Sequence, residues 1–423
     1  MLDRIKQNVL SAVDERRDEI IRFLQDLIHF QSVTGNEAGI QDFISRYLAA
    51  MNLNVDKWEL NQQELRKHPG YLPVDASYRN RPNVVGVYRG KGGGRSLLIN
   101  GHVDVIPVEP IADWSHNPWS ADITDGRLYG RGASDMKSGL AAMTMALDTI
   151  LRLDVALKGD VIMEYTIDEE LSGNGTVACI MKGYHADAGI CCETSSLHVE
   201  PASIGRIWFE INVRGKPAGI QRRWEGVNGI EKGYRIFEAI NDFERIRIEK
   251  IRHPLYPDPR EALPCAVGVF NAGTYASAFP SSCLLKGSMA ALPGEDSRKV
   301  KQEFEDYIMA AARDDPWMKD HLPEVLWKGY FAEPAEIPVD HPICTTMTEN
   351  FELVAGTKAL VTGRMGAADT RHLIKYGNTP TVIFGPGLTS QMHATDEWVN
   401  LDDLIVATKT IALSIVDWCG ANT

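Results

Sequence analysis

The chain is predicted to be an α/β protein, a mostly parallel-sheet catalytic domain interrupted by a smaller α+β lid domain. Three observations carry this. Short apolar runs alternate with helical stretches up to about residue 200, the pattern of a parallel sheet with helices on its faces. From about Ser203 to His321 the character changes, and the α/β pattern resumes from about Leu326. Polar clusters begin where the apolar runs of the outer parts end. The expected division is 1–203 and 323–423 for the catalytic domain, with 204–322 inserted as the lid. At 423 residues the chain exceeds the roughly 250–300 at which one hydrophobic core stops growing.

In order, the first thirty residues place Ile20, Ile21, Phe23, Leu24, Leu27 and Ile28 at helical spacing among charges, which reads as an amphipathic helix rather than a leader. Leu97 to Asn100, Val161 to Thr166, Gly189 to Cys192 and Thr381 to Phe384 read as short buried strands. Lys137 to Leu153, rich in Ala, Met and Leu, is the clearest helix. In the inserted part, Ile207 to Val213 and Leu284 to Ala290 suggest strands, and Val227 to Ile248 and Ser297 to Arg313 suggest helices. The glycine run from Gly90 to Gly94 precedes a strand instead of following one, so it reads as a surface turn and not a phosphate loop.

Composition narrows the function. A net charge of −13, with no Lys/Arg run longer than a pair such as Arg222-Arg223, argues against nucleic acid as a partner. No apolar stretch approaches membrane-spanning length. The seven cysteines show no C-x-x-C pair, which points to buried thiols in a cytoplasmic protein.

The chemistry lies in the clusters. Gly101-His102-Val103-Asp104, Ser134-Asp135-Met136, Asp168-Glu169-Glu170 and Cys192-Glu193-Thr194 each follow an apolar run or open a helix, and Met392-His393-Ala394 lies far downstream. In open α/β sheets ligands sit beyond the carboxyl ends of the strands, so these segments would converge. Taken singly, each has a bland reading: a structural His-Asp pair, an N-cap aspartate, a solvated acidic loop. Together they form a ligand set for two divalent cations. One would take His102, Asp135 and Glu193, the other His393, Asp135 and Glu170, with Asp135 shared through its two oxygens. Mixed imidazole and carboxylate ligands suit zinc, manganese or cobalt, and not calcium. Asp104, two residues from His102, is expected to accept that imidazole's second N–H through its carboxylate. Glu169 and Glu170 are expected on an extended segment, pointing apart, so that Glu170 binds metal and Glu169 stays free as general base.

These blocks, with Gly130-Arg131-Gly132-Ala133-Ser134-Asp135-Met136-Lys137 and His393-Ala394-Thr395-Asp396-Glu397, resemble the signature of the acetylornithine deacetylase, succinyl-diaminopimelate desuccinylase and aminoacylase family of two-metal hydrolases. The resemblance spans nearly the whole chain. It implies the same ligand roles, with Glu169 as base, a cis peptide after Asp135, and a homodimer formed through the lid. It also implies amide hydrolysis of N-acyl amino acids or small peptides.

Departures from the family pattern concern the substrate. Gly219 stands where relatives carry a histidine that steadies the oxyanion, Ala290 where an arginine is frequent, and Ala367 where a threonine touches substrate. Arg222, Arg223 and Trp224 are nearest in sequence to replace the missing donor. Arg371 matches the family and is a candidate holder of a substrate carboxylate, with a surface salt bridge as its other reading; Arg364 is a second candidate.

The leading expectation is therefore amide hydrolysis of a small carboxylate-bearing molecule. An alternative is hydrolytic deamination of an electron-poor aromatic amine, in which charge spreads into the ring and the histidine matters less. A second alternative is a catalytically silent metal-binding protein.

Overall fold

The computed structural model describes residues 2–421. They separate into two compact units. The first comprises the chain up to Ala202, Glu336–Thr362 and the chain from Ala368 onward, and the second comprises Ser203–Ala335 with Gly363–Ala367.

The first unit is built on a mixed sheet whose strands run in the order Asn54–Glu59, Pro82–Tyr88, Val161–Thr166, Leu97–His102, Ala188–Cys191, Thr381–Ile383 and Val199–Ser203. The four from Val161–Thr166 to Thr381–Ile383 are mutually parallel, and the flanking strands pair antiparallel. Val161–Thr166 and Leu97–His102 are buried at every position, as expected of parallel strands covered on both faces. Their continuous apolar runs are the sequence form of that burial.

The helices Lys137–Arg152 and Leu401–Cys419 pack against each other within the main apolar core. Lys137–Arg152 is rich in strong helix formers. Leu401–Cys419 starts at Asn400, whose side chain accepts from the Asp402 amide, with two aspartates in its first turn where the helix dipole favours them.

The amino-terminal segment is two helices, Leu2–Glu15 and Arg17–Ile28, and not one. The break falls at Arg16, whose guanidinium reaches Glu19, Thr149 and Asp148. Each helix then turns its own apolar face inward, Val9 and Val13 on the first, Ile20, Phe23, Leu24, Leu27 and Ile28 on the second. All seven cysteines are free and buried.

In the second unit, strands Cys265–Ala272, Ser282–Ala291, Gly205–Arg214 and Glu324–Leu326 form an antiparallel sheet in that order. Helices Gly229–Lys250 and Ser297–Arg313 share an apolar core with it, around Phe209, Phe243 and Phe304.

Glu164 is a carboxyl in the middle of the first unit's sheet. Burial pushes it up to about 8, and the Asn100 amide, 3.0 Å from Oε2, offsets this only in part. A raised carboxyl keeps its proton in the folded chain and releases it in the unfolded one. Stability therefore falls as pH rises from about 4.5 to about 8. Glu164→Gln is expected to flatten that decline and to be more stable than the parent at pH 8, measured as urea midpoints; parallel profiles for the two proteins would contradict it.

Candidate metal centre

The carboxyl ends of the parallel strands deliver most of the polar residues. Leu97–His102 ends on His102, Val161–Thr166 runs into the turn carrying Asp168, Glu169 and Glu170, and Ala188–Cys191 is followed by Glu193. Thr381–Ile383 leads through a loop to His393. This is the crevice that open α/β sheets present to ligands.

His102 is buried, with Nδ1 2.9 Å from the Asp104 carbonyl oxygen. Donation from Nδ1–H to that carbonyl leaves the lone pair on Nε2, which lies 3.3 Å from Asp135 Oδ1 and 3.3 Å from Glu193 Oε1. Nε2 has no hydrogen-bond partner among the described residues. A lone pair facing two carboxylates is repulsive until a positive charge lies between them. Burial alone would lower the pKa of His102, but Glu193 and Asp135 draw it well above the usual imidazole range. The pocket thus attracts a cation, and its donors fit a divalent metal.

A second group adjoins it. His393 Nε2 is 3.0 Å from Glu170 Oε2 and 3.6 Å from Asp135 Oδ2. The hydrogen bond to Glu170 raises His393 to about 9, against an opposing effect of burial. The two oxygens of Asp135 therefore face different imidazoles. The peptide bond Asp135-Met136 is cis.

Glu169 lies between these groups and Arg371. It offers a carboxylate oxygen within 4.8 Å of atoms of His102 and Glu193, and Oε1 is 3.9 Å from Arg371 Nη1. Burial holds its carboxyl well above the ordinary range; His102 opposes the shift, while Asp369, Glu193 and Glu170 add to it.

Three expectations need correction. The acceptor for His102 is the Asp104 carbonyl and not its carboxylate, which lies 3.7 Å from Nδ1. The strand ends at His102, so strand alternation no longer directs Asp104. Its carboxylate accepts instead from Thr34 Oγ1 and from the amides of Glu169 and Glu170. Second, Glu169 and Glu170 sit in a turn, not an extended segment. Asp168 before them has φ of 71° and is held by Arg81, whose guanidinium also grips Glu37. The turn, and not strand alternation, sends the two side chains apart. Third, Arg371 is no surface salt bridge. It is buried on helix Thr370–Lys375, with Nη2 donating to the Ser172 carbonyl and Nη1 3.6 Å from Asp369 Oδ1.

The other candidates lie in the second unit. Arg222 is exposed and paired with Glu225, and Arg223 is exposed on the same short helical turn. Arg364 is buried, and its carbonyl accepts from Tyr256 Oη. A side chain at Gly219 would meet only Gln221 Oε1, at 3.2 Å, so the place has room for a larger residue.

Sequence reasoning missed Asp369, Thr34, Arg81 and the role of Glu397. Glu397 is fully buried and accepts from Arg131 Nη1 and from the amides of Gly132, Ser134 and Asp135, each at 2.8 Å. Its partners are mostly backbone amides more than 260 residues away, which no local motif announces.

A profile of peptidase family M20/M25/M40 matches residues 98–417. The chain is 29% identical over 440 residues to an N-formyl-4-amino-5-aminomethyl-2-methylpyrimidine deformylase of Bacillus subtilis (strain 168), covering 99% of each. In fold it is similar to an M20 family metallo-carboxypeptidase of Sulfolobus solfataricus, with TM-score 0.71, 20% identity, and 94% of this chain and 98% of that one covered. It is similar also to a dinuclear metal-binding M20 peptidase of Bacillus subtilis, with TM-score 0.67, 14% identity, and 96% and 99% covered.

One glycine is required by the site's own packing. Gly173 has φ of 78°, and a Cβ there would fall 2.4 Å from Asp369 Oδ1, 2.5 Å from Arg371 Nη2 and 2.8 Å from His372 Nε2. Gly173→Ala is expected to cost about 1–3 kcal/mol in backbone strain and to displace Arg371 from Glu169. Chemical denaturation and steady-state kinetics check this: parental stability together with parental kcat and KM would show that the cluster yields without consequence.

Proposed function

The chain belongs to peptidase family M20/M25/M40, and from that premise we propose a two-metal hydrolase that cleaves the amide of a small carboxylate-bearing N-acyl compound, an N-acyl amino acid or small peptide in the simplest case. The observation that carries this reading is the Asp135 carboxylate facing two separate imidazoles, with a further carboxylate, Glu169, alongside. Family membership makes the chain a hydrolase of C–N bonds and sets aside the silent binder.

In this reading His102, Glu193 and Asp135 would hold one cation, and His393, Glu170 and Asp135 the other, with zinc, manganese or cobalt as the metal. Bound there, the pair would lower the pKa of water and polarise the substrate carbonyl. Glu169 takes the proton of the attacking water onto its carboxylate. The water oxygen adds to the carbonyl carbon, Glu169 passes the proton to the nitrogen, and the C–N bond breaks to leave a carboxylate and an amine. Asp104 keeps Glu169 and Glu170 in place through their amides and orients His102 through its carbonyl. Arg371, beside Glu169, is the candidate for the substrate carboxylate, with Arg364, Arg222 and Arg223 as further cations for it or for the oxyanion.

The deformylase relative, similar over almost the whole chain, supports an acyl group as small as formyl. A second reading, hydrolytic deamination of an electron-poor aromatic amine, is supported by Gly219, which has room for a donor but supplies none. We propose further that the chain forms a homodimer through its second unit, as the family resemblance implies, and that it works in the cytoplasm, which seven buried free thiols support. No helix among the described residues is long and apolar enough to cross a membrane.

The test is turnover by metal-stripped protein, with zinc, manganese or cobalt restored in turn. Substrates would be N-acyl and N-formyl amines, dipeptides, and nitro- or carboxy-substituted anilines. Metal-dependent release of a carboxylate and an amine is expected; ammonia from an aniline alone would replace the leading reading with the second. Glu169→Ala is expected to lower kcat by about 10²–10⁴ with metal content kept. Near-parental rates in that variant would end its assignment as the proton shuttle.

A further inference from the structure

Glu397 is a buried carboxyl with no assigned part in binding or proton transfer, yet it touches the backbone on which the shared carboxylate depends. Glu397 Oε2 accepts from Arg131 Nη1 and the Gly132 amide, and Oε1 accepts from the amides of Ser134 and Asp135. Four donors meet four lone pairs. The same segment is strapped to the Arg127–Asp135 region by more than this carboxylate. Trp398–Asn400 pairs antiparallel with Arg127–Tyr129, the Gly130 amide donates to the Glu397 carbonyl at 2.8 Å, and Arg131 Nη1 also donates to the Ala394 carbonyl at 3.1 Å.

We propose that Glu397 is the positioning residue for the His393 half of the dinuclear centre, setting both the turn that presents Asp135 and the loop that presents His393. The inference rests on the two-metal reading above. Its asymmetry follows from how the ligands are held. His102 ends a strand paired on both sides, and Glu193 follows Cys192, whose amide donates to the Asn100 carbonyl. His393 has no such sheet support: it is half exposed and lies in a loop with φ of 60°. Its distance to Asp135 depends on the strap. Loss of the strap's carboxylate should therefore weaken one cation position more than the other.

Glu397→Gln is the informative substitution because it preserves size while changing the lone-pair count. A carboxamide offers one acceptor oxygen and an NH2 group. Whichever way it turns, two of the four donors face another donor. Partners that orient metal ligands typically cost ten- to a hundredfold in metal affinity when altered.

The experiment uses the full chain, metal-stripped and titrated with zinc by calorimetry, together with peptide-level hydrogen exchange on the metal-free protein. In Glu397→Gln the second equivalent of zinc, which needs both Asp135 and His393, is expected to bind about ten- to a hundredfold more weakly, and the first, which shares only Asp135, to weaken by less. Peptides covering 130–136 and 391–397 are expected to exchange faster while the rest of the chain is unchanged. His393→Ala serves as the reference: it should lose the second equivalent without loosening 130–136. Parental zinc affinities with parental exchange in Glu397→Gln would overturn the proposal.

If the parent itself takes up fewer than two equivalents, the two-metal reading fails, and hydrogen exchange alone decides the clamp: faster exchange at 130–136 supports it, unchanged exchange overturns it. Should Glu397→Gln fail to fold, Glu397→Asp keeps the charge and draws the acceptors back by one methylene. A weakened second equivalent in that variant supports the proposal, and parental affinity overturns it.

Discussion

The site depends on the concentration of carboxylates around His102 and His393, with Asp135 between them. Its Oδ1 lies 3.3 Å from one imidazole and its Oδ2 3.6 Å from the other, while Glu193 and Glu170 approach the same imidazoles from their own segments. Gathering acids in a buried crevice is unfavourable unless positive charge or donors compensate them. The structure around the crevice is organised to supply both.

The compensation comes from three directions. Arg81 bridges Glu37 and Asp168 at the glutamate turn, with Tyr78 donating a further hydrogen bond to Asp168. Asp104, itself an acid, is satisfied by Thr34 and by the two amides of the turn it supports, so its carboxyl oxygens order the backbone of Glu169 and Glu170. Glu397 is satisfied by Arg131 and three amides. In each case a carboxyl assigned to neither cation holds a segment that bears a proposed ligand or the proposed proton shuttle. The acids nearest the imidazoles are those that the proposed metals would balance.

Much of the fold was legible because burial leaves a local mark. Val161–Thr166 is apolar along its length because both faces are covered, and Lys137–Arg152 is rich in helix formers throughout. The polar clusters also stood where strands end, so their meeting place followed from strand direction. What escaped was set by contacts between distant segments. The break at Arg16 depends on Asp148 and Thr149, and the turn at Glu169 and Glu170 depends on Arg81, Asp104 and the left-handed backbone of Asp168.

By itself, then, the sequence determined which chemical groups this protein brings to its crevice: two imidazoles, a set of carboxylates, and a glycine where a donor would otherwise stand. Only the tertiary structure decided which group serves which neighbour. Asp104 orients His102 with its carbonyl and not its carboxylate, Arg371 is buried beside Glu169 and not exposed, and Glu397 answers to the amides of Gly132, Ser134 and Asp135. The physical reason is that residue type and strand position are local properties, whereas hydrogen-bond partnership depends on side-chain direction after a strand ends. That direction is set by backbone amides and charges that the chain brings near only by folding.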